Sequence, residues 1–336
     1  MNAPDLSAHG LEPGTILAGR YLIEYSLGSG GMGSVYFARD RSQGDKPVAV
    51  KEMRILASNP RIYRQAIEQF AQEARFLAAL DHPGLVKAHD LFEEAGRYFM
   101  VMNYISGKTL AEMLLQRQEP FELEAIIGWL EQLMDILEFL HKHKPPILYR
   151  DMKPGNIMID RNSRVHLIDF GIAHCLHLGS ETATFLQGIG SPDYCPLEQY
   201  HGAGGTDERS DIYSLGATLF HLLTGQPPQK ASELALDNRG PTSPRHINPK
   251  IPLQLETFVI KAMALRKEQR FANIAEMRVH LLKMRKKTET GAAENSAGQT
   301  RPTHKQGFSR ELIMLSCLTV IVLFLLTWLG LQMTSH

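Results

Sequence analysis

Ile147-Leu148-Tyr149-Arg150-Asp151-Met152-Lys153-Pro154-Gly155-Asn156 is the stretch on which the reading of this chain turns. Asp151 is followed five residues later by Asn156, and thirteen residues beyond that comes Asp169-Phe170-Gly171, behind the apolar run 165–168. An acid beside a lysine can take a proton from a hydroxyl, and an asparagine with a second aspartate supplies the hard oxygen ligands that Mg²⁺ prefers. That set suits phosphoryl transfer, in which a protein does little covalent chemistry and mainly positions groups and neutralises charge. An acidic turn closed by structural salt bridges would not need these groups in this order.

Working outward, Leu27-Gly28-Ser29-Gly30-Gly31-Met32-Gly33-Ser34-Val35 carries G-x-G-x-x-G followed by valine. Glycines let a backbone approach phosphates closely. A dinucleotide-binding loop would lead into a helix, whereas this one leads into the alternating run Val35-Tyr36-Phe37-Ala38, so a strand–loop–strand cover is expected. A Gly-rich hairpin without a ligand is the plain alternative. Next comes Val48-Ala49-Val50-Lys51, a short β-rich run ending in a lysine. A lysine kept inward needs an anion. On the helix expected over Tyr63–Leu80, Glu73 shares a stripe with Leu77 and Leu80 at +4 and +7, so it is the candidate partner.

The remaining composition bounds the answer. Lys plus Arg is 36 and Asp plus Glu is 36, so the formal net charge is zero and no nucleic-acid partner is indicated. Three cysteines, Cys175, Cys195 and Cys317, form no C-x-x-C pair, which argues against a zinc cluster or a disulfide framework. Residues 121–143 show helical spacing of apolar positions, and the chain after Ser210 reads as mostly helical. No apolar h-region occurs in residues 1–20, which read as a leader without a secretory signal. Residues 288–311 turn polar and small, the composition of a flexible juxtamembrane linker. Leu312 to Leu331 runs twenty residues without a charge, enough helix to cross a bilayer of about 30 Å. Lys283, Arg285, Lys286, Lys287, Arg301, Lys305 and Arg310 precede it, which by the positive-inside rule keeps the preceding chain cytoplasmic and leaves 332–336 as a short extracytoplasmic tail.

The ordered set GSGGMGSV, VAVK, Glu73 before HPGLV, YRDMKPGN, IDFG, Pro196-Leu197-Glu198 and SDIYSLG resembles the protein kinase family, specifically the bacterial eukaryotic-like (Hanks-type) serine/threonine kinases. The resemblance covers about residues 21–283. It implies an α+β bilobal fold, with a kinase domain over 21–287. An N-lobe of five strands and one helix (21–103) would pack over a mainly helical C-lobe (104–287), with the C-terminal transmembrane helix in addition.

The resemblance also implies roles. Gly28, Gly30 and Gly33 would cover the ATP phosphates, with Leu27, Val35 and Ala49 about the base. Met102 would be the gatekeeper, and Asn103 to Ile105 the hinge. Lys51, paired with Glu73, would hold the α- and β-phosphates. Asp151 would receive the substrate hydroxyl proton, Lys153 would touch the γ-phosphate, and Asn156 and Asp169 would hold Mg²⁺, with Mn²⁺ able to take the same ligands. Glu198 would pair with Arg270, and Asp211 belongs to the SDIYSLG helix. Arg150 would bind a phosphate on the activation loop, for which Ser180, Thr182 and Thr184 are candidates. Protein substrates, including a second copy of the chain phosphorylated in trans, are the implied partners. Tyr149 stands where the family usually has histidine, and Asn103 replaces the usual hinge glutamate. An ATP-binding pseudokinase scaffold and a kinase-like small-molecule phosphotransferase are the alternatives.

Overall fold

The structure, a computed structural model, describes residues 10–30, 33–54, 59–117, 119–169, 191–200 and 205–297. Six short to medium strands come first: β1 (Ile16–Leu17), β2 (Tyr21–Gly30), β3 (Gly33–Asp40), β4 (Lys46–Met53), β5 (Ala88–Glu94) and β6 (Arg97–Asn103), with helix α1 (Pro60–Ala79) between β4 and β5. They form one antiparallel sheet in the order β1-β2-β3-β4-β6-β5.

Strand alternation decides what each face of that sheet does. On β4, Val48 and Val50 point to an outer cluster with Tyr21, Ile23, Tyr36, Phe99 and Val101. Ala49 points the other way, into the main core with Met100 and Met102. Lys51 shares that inner face, opposite Val35 on β3 and Met100 on β6.

The outer cluster corrects the reading of residues 1–20 as a leader where the structure describes them, from residue 10 on. Residues 10–20 are built into the sheet: Leu17 of β1 is buried in the outer cluster and Leu11 packs against it. The Leu11 N–H donates to Tyr36 Oη at 3.1 Å, and the Ala18 N–H to Glu94 at 2.6 Å. The sheet therefore has six strands rather than five. Its outer face carries apolar side chains, and a segment with only Leu11 and Leu17 to place there is enough to cover them.

Helix α1 starts a turn earlier than its apolar spacing indicated. Asn59 caps it by accepting from the Arg61 N–H at 2.9 Å, and Pro60 occupies the first helical position, where its missing N–H costs nothing. Phe70, Ala74 and Leu77 make the buried stripe.

The second half is mainly helical. After β7 (Gly107–Thr109) come α2 (Leu110–Leu115) and α3 (Leu123–His141), then β8 (Ile157–Asp160) and β9 (Val165–Leu167), then α4 (Leu197–Tyr200), α5 (Glu208–Thr224), α6 (Ala231–Leu236), α7 (Pro244–Ile247), α8 (Leu253–Ala262) and α9 (Ile274–Ala297). β7, β8 and β9 form a small antiparallel sheet. α5 is the hub: it is buried along almost its whole length and packs on α3, α7 and α8. Gly216 allows the closest approach, since a Cβ there would lie 2.8 Å from that of Ala262.

α9 continues to Ala297, ten residues into the stretch read as a flexible linker. Polar composition misled there, because Ala and Glu, which dominate 292–297, are strong helix formers. Leu312–Leu331, Phe170–Gly171 and the candidate phosphosites Ser180, Thr182 and Thr184 lie outside the described residues. Among the described residues, no helix is long and apolar enough to cross a membrane.

Candidate active site

A cleft of about 320 Å³ lies between the inner face of the sheet and the segment running from Gly155 to Asp169. Its roof includes Leu27, Gly28, Val35 and Ala49, its back Met102, and its floor Met158 and Ile168. The roof is apolar because strand alternation puts Val35 of β3 and Ala49 of β4 on one face, with Leu27 of β2 beside them. Gly33, at the far end of the Gly-rich turn, has φ +140, and a Cβ there would sit 1.9 Å from the carbonyl oxygen of Glu52, so only glycine fits. At Gly28 and Gly30 a Cβ would meet nothing within 4 Å.

Two charged groups converge at the inner end of the cleft. Lys51 Nζ lies 3.1 Å from Glu73 Oε1 and 2.7 Å from Asp169 Oδ1. Burial opposes the charge on Lys51, but the two carboxylates outweigh it and raise the ammonium above its ordinary value. Burial also pushes the Glu73 carboxyl up, against the pull of Lys51, and Asp169 adds to the rise. The lysine is thus ionised and shared between two acids.

The second group is the loop between α3 and β8. Lys153 Nζ donates to Asp151 Oδ2 at 2.8 Å. Asn156 Nδ2 donates to the same oxygen at 2.7 Å and to the Asp151 carbonyl at 2.9 Å. Asn156 is carried on a 3₁₀ turn (Pro154–Asn156), and its carbonyl accepts from the Ile168 N–H at 3.1 Å, which locks the loop to the strand that delivers Asp169. Burial raises the Asp151 carboxyl above its ordinary value, with Lys153 and Asn156 pulling the other way and Asp169 adding to the rise. A raised carboxyl is the better proton acceptor.

The loop is held from behind. Asp211, fully buried on α5, accepts from the Tyr149 N–H at 2.9 Å, the Arg150 N–H at 2.7 Å and, at 2.8 Å, pairs with His141 Nε2. Tyr149 Oη donates to the Asp169 carbonyl at 2.5 Å, so this departure from the usual histidine still ties the two acidic segments together. Asn103, the other departure, has its N–H taken by the Lys87 carbonyl at 3.1 Å and its side-chain oxygen against His89 Nε2. Arg150 Nη2 donates to Thr206 Oγ1 at 2.8 Å.

Farther off, Arg270 holds Glu198 through two parallel bonds of 2.6 and 3.0 Å. Its remaining donors go to the carbonyls of Ala264, Arg209 and Leu265, and its side chain is 0% exposed. Both ion pairs expected from the sequence are made, Lys51 with Glu73 and Arg270 with Glu198.

The protein kinase domain family model matches residues 21–281. The chain belongs to the protein kinase family. Among curated relatives, it is 35% identical over 272 residues to the probable serine/threonine-protein kinase PknB of Lactococcus lactis subsp. lactis (strain IL1403), across 80% of this chain and 42% of that protein. It is 36% identical over 270 residues to the serine/threonine-protein kinase PrkC of Bacillus subtilis (strain 168), across 79% of this chain and 40% of that protein. Among solved structures, PpkA-294 in its apo form superposes with a TM-score of 0.70 at 28% identity, covering 81% of this chain and 99% of that one. The chain thus carries a serine/threonine protein kinase domain of the bacterial Hanks type. It spans about two fifths of the length of the curated relatives it matches.

Sequence reasoning missed several site residues. Val86, Gly107, Thr109 and Glu112 also line the cleft. The Thr109-x-x-Glu112 capping box, with both reciprocal bonds made, was a legible signal for the last two. His141 gave no signal, since a histidine near the end of an apolar helix reads equally well as a favourable charge at a helix C-terminus.

Proposed function

We propose that this chain transfers the γ-phosphoryl group of ATP to serine and threonine hydroxyls of proteins, itself included, from a membrane-anchored position. The observation that carries the reading is the convergence of Lys51, Glu73, Asp151, Lys153, Asn156 and Asp169 on one cleft roofed by apolar side chains. The roof takes an adenine ring, with Asn103 to Ile105 along its edge. Lys51, steadied by Glu73, takes the α- and β-phosphates. Asp151 receives the hydroxyl proton while Lys153 neutralises charge on the transferred group.

Protein kinases use divalent metal ions, and the residues here fit one. Asn156 commits its amide nitrogen to Asp151, so its side-chain oxygen would serve as one ligand, and Asp169 would add a carboxylate. Mg²⁺ held by one or two protein oxygens and the substrate phosphates would offset the charge that develops in transfer.

The anchor rests on the uncharged run Leu312–Leu331 and the basic residues before it, which favour a single-pass helix with the kinase domain on the cytoplasmic side of the cell membrane. Crowding in a membrane favours phosphorylation between two copies, with Ser180, Thr182 and Thr184 as acceptors whose phosphate Arg150 would bind. The pseudokinase reading finds no missing group to stand on. A small-molecule acceptor is not favoured by the relatives, which are protein kinases by name.

The test is phosphosite mapping by mass spectrometry. Phosphatase-treated full chain is incubated with Mg²⁺ and ATP beside Asp151→Asn. Phosphate on serine or threonine in the first and none in the second is expected. Equal modification of both would overturn the reading.

A further inference from the structure

Gln199 lies on the single turn of α4, next to Glu198, and the two neighbours face different partners. Glu198 turns to Arg270. Gln199 turns to the loop that carries Asp151. Its Nε2 donates to the carbonyl oxygen of Arg150 at 3.2 Å, and its Oε1 accepts from the Cys195 thiol at 2.9 Å. Chemistry fixes which way the amide points. A peptide carbonyl only accepts, so the NH₂ must face Arg150, and the remaining oxygen needs a donor, which the thiol supplies. The thiol keeps its proton: burial pushes its pKa up to about 12, with the carboxylates of Glu198 and Asp151 adding to the rise.

The carbonyl that Gln199 holds belongs to the peptide leading directly into Asp151. Arg150 has φ +64, a left-handed conformation that a non-glycine residue keeps only when its surroundings over-determine it. Asp211 holds the N–H side of this residue at 2.7 Å, and Gln199 holds the carbonyl side. Cys195, at the other end of the bridge, is buried in the segment 191–196 that runs into α4.

We propose that Gln199 is a positioning residue for phosphoryl transfer, whose side-chain amide ties the peptide entering Asp151 to the Cys195 segment so that the proton acceptor and the protein substrate are held in one register. The proposal rests on the kinase reading above, since in protein kinases the segment just before Cys195, here 191–194, would line the protein-substrate site. An amide of this length both donates and accepts without a change of charge, which neither a glutamate carboxylate nor a methionine thioether does. Misplacement by about 1 Å can cost a factor of about 10² in rate, and loss of one of several restraints should cost less.

The experiment uses the full chain in detergent, assayed with ATP and a protein substrate at temperatures where far-UV circular dichroism shows it folded. Gln199→Met keeps length and bulk but removes both bonds. The expected result is a fall in kcat of about 10-fold with the KM for ATP within about twofold of wild type, because the cleft is untouched. Cys195→Ala should lower kcat/KM for the protein substrate, Cys195→Ser should restore most of it, and Cys195→Ala combined with Gln199→Met should be no worse than Gln199→Met alone. The Cys195 pair decides the matter should Gln199→Met fail to fold. A kcat within twofold of wild type, a KM for ATP that rises as kcat falls, additive single effects, or Cys195→Ser behaving as Cys195→Ala would each overturn the proposal while leaving the kinase reading intact. No transfer by the wild-type chain would overturn both.

Discussion

Two of the ion pairs held inside the described part of this molecule, Lys51 with its two acids and Arg270 with Glu198, are built for opposite purposes. At the cleft, Lys51 makes one bond to Glu73 and another to Asp169, a single ammonium shared between two carboxylates. In the helical lobe, Arg270 grips both oxygens of Glu198, and every remaining donor of its guanidinium meets a carbonyl. The first arrangement leaves a compact cation that can exchange one anion for another, as an ATP site requires. The second is planar, forked and closed, with nothing to exchange. The same chemistry, a buried cation among carboxylates, serves binding where it is under-coordinated and architecture where it is saturated.

The contrast breaks if the two cations behave alike when removed. Lys51→Met should lower kcat by about 10²–10³-fold, the scale of losing one charge-stabilising donor, with a smaller fall in melting temperature than Arg270→Met, because the Glu73 carboxyl, which burial already pushes up, can take a proton once Lys51 is gone. Arg270→Met should do the reverse. It strands Glu198 in the interior at a cost of about 3–5 kcal/mol, read as a melting temperature lower by about 10 °C, with kcat of the folded fraction nearly kept. A Lys51 variant that melts as early as the Arg270 variant would erase the distinction.

A third test probes whether the outer face of the sheet belongs to the architecture. Leu17→Ala removes a buried side chain from the cluster that residues 10–20 cover, and should cost about 2–4 kcal/mol in chemical denaturation without altering the KM for ATP. A cost near zero would return residues 10–20 to the status of a leader.

The smallest effect concerns pH. Burial pushes Glu198 up, but its bonds to Arg270 outweigh this and hold the carboxyl below its ordinary value. A depressed carboxyl contributes stability above its unfolded pKa and loses it as pH falls through the folded value. Wild type should therefore lose more stability than Glu198→Gln on going from neutral pH to below about pH 4. Parallel curves for the two proteins would count against a saturated, ionised pair.

Much of this was legible in the sequence because the decisive groups are charged, and charge inside a fold must be matched. Lys51 predicted an anion, the stripe on α1 placed Glu73, and the Asp151–Asn156–Asp169 spacing marked the loop. What escaped was carried by neutral or covering groups. Residues 10–20 show two adjacent apolar residues and no period, yet they seal a sheet face. Polar composition hid the helical propensity of 288–297. Gln199 gives no signal of its own, since an amide has no charge to match and its two partners are a backbone carbonyl and a thiol, distant in sequence from each other.

The most direct test of the account is transfer of label from γ-labelled ATP to a generic protein substrate by the full chain in the presence of Mg²⁺, followed by phosphoamino-acid analysis, with Asp151→Asn as control. The account predicts labelled phosphoserine and phosphothreonine from the wild-type chain and their loss in the control. Label retained in the control, or ATP bound with no label transferred by either protein, would contradict it.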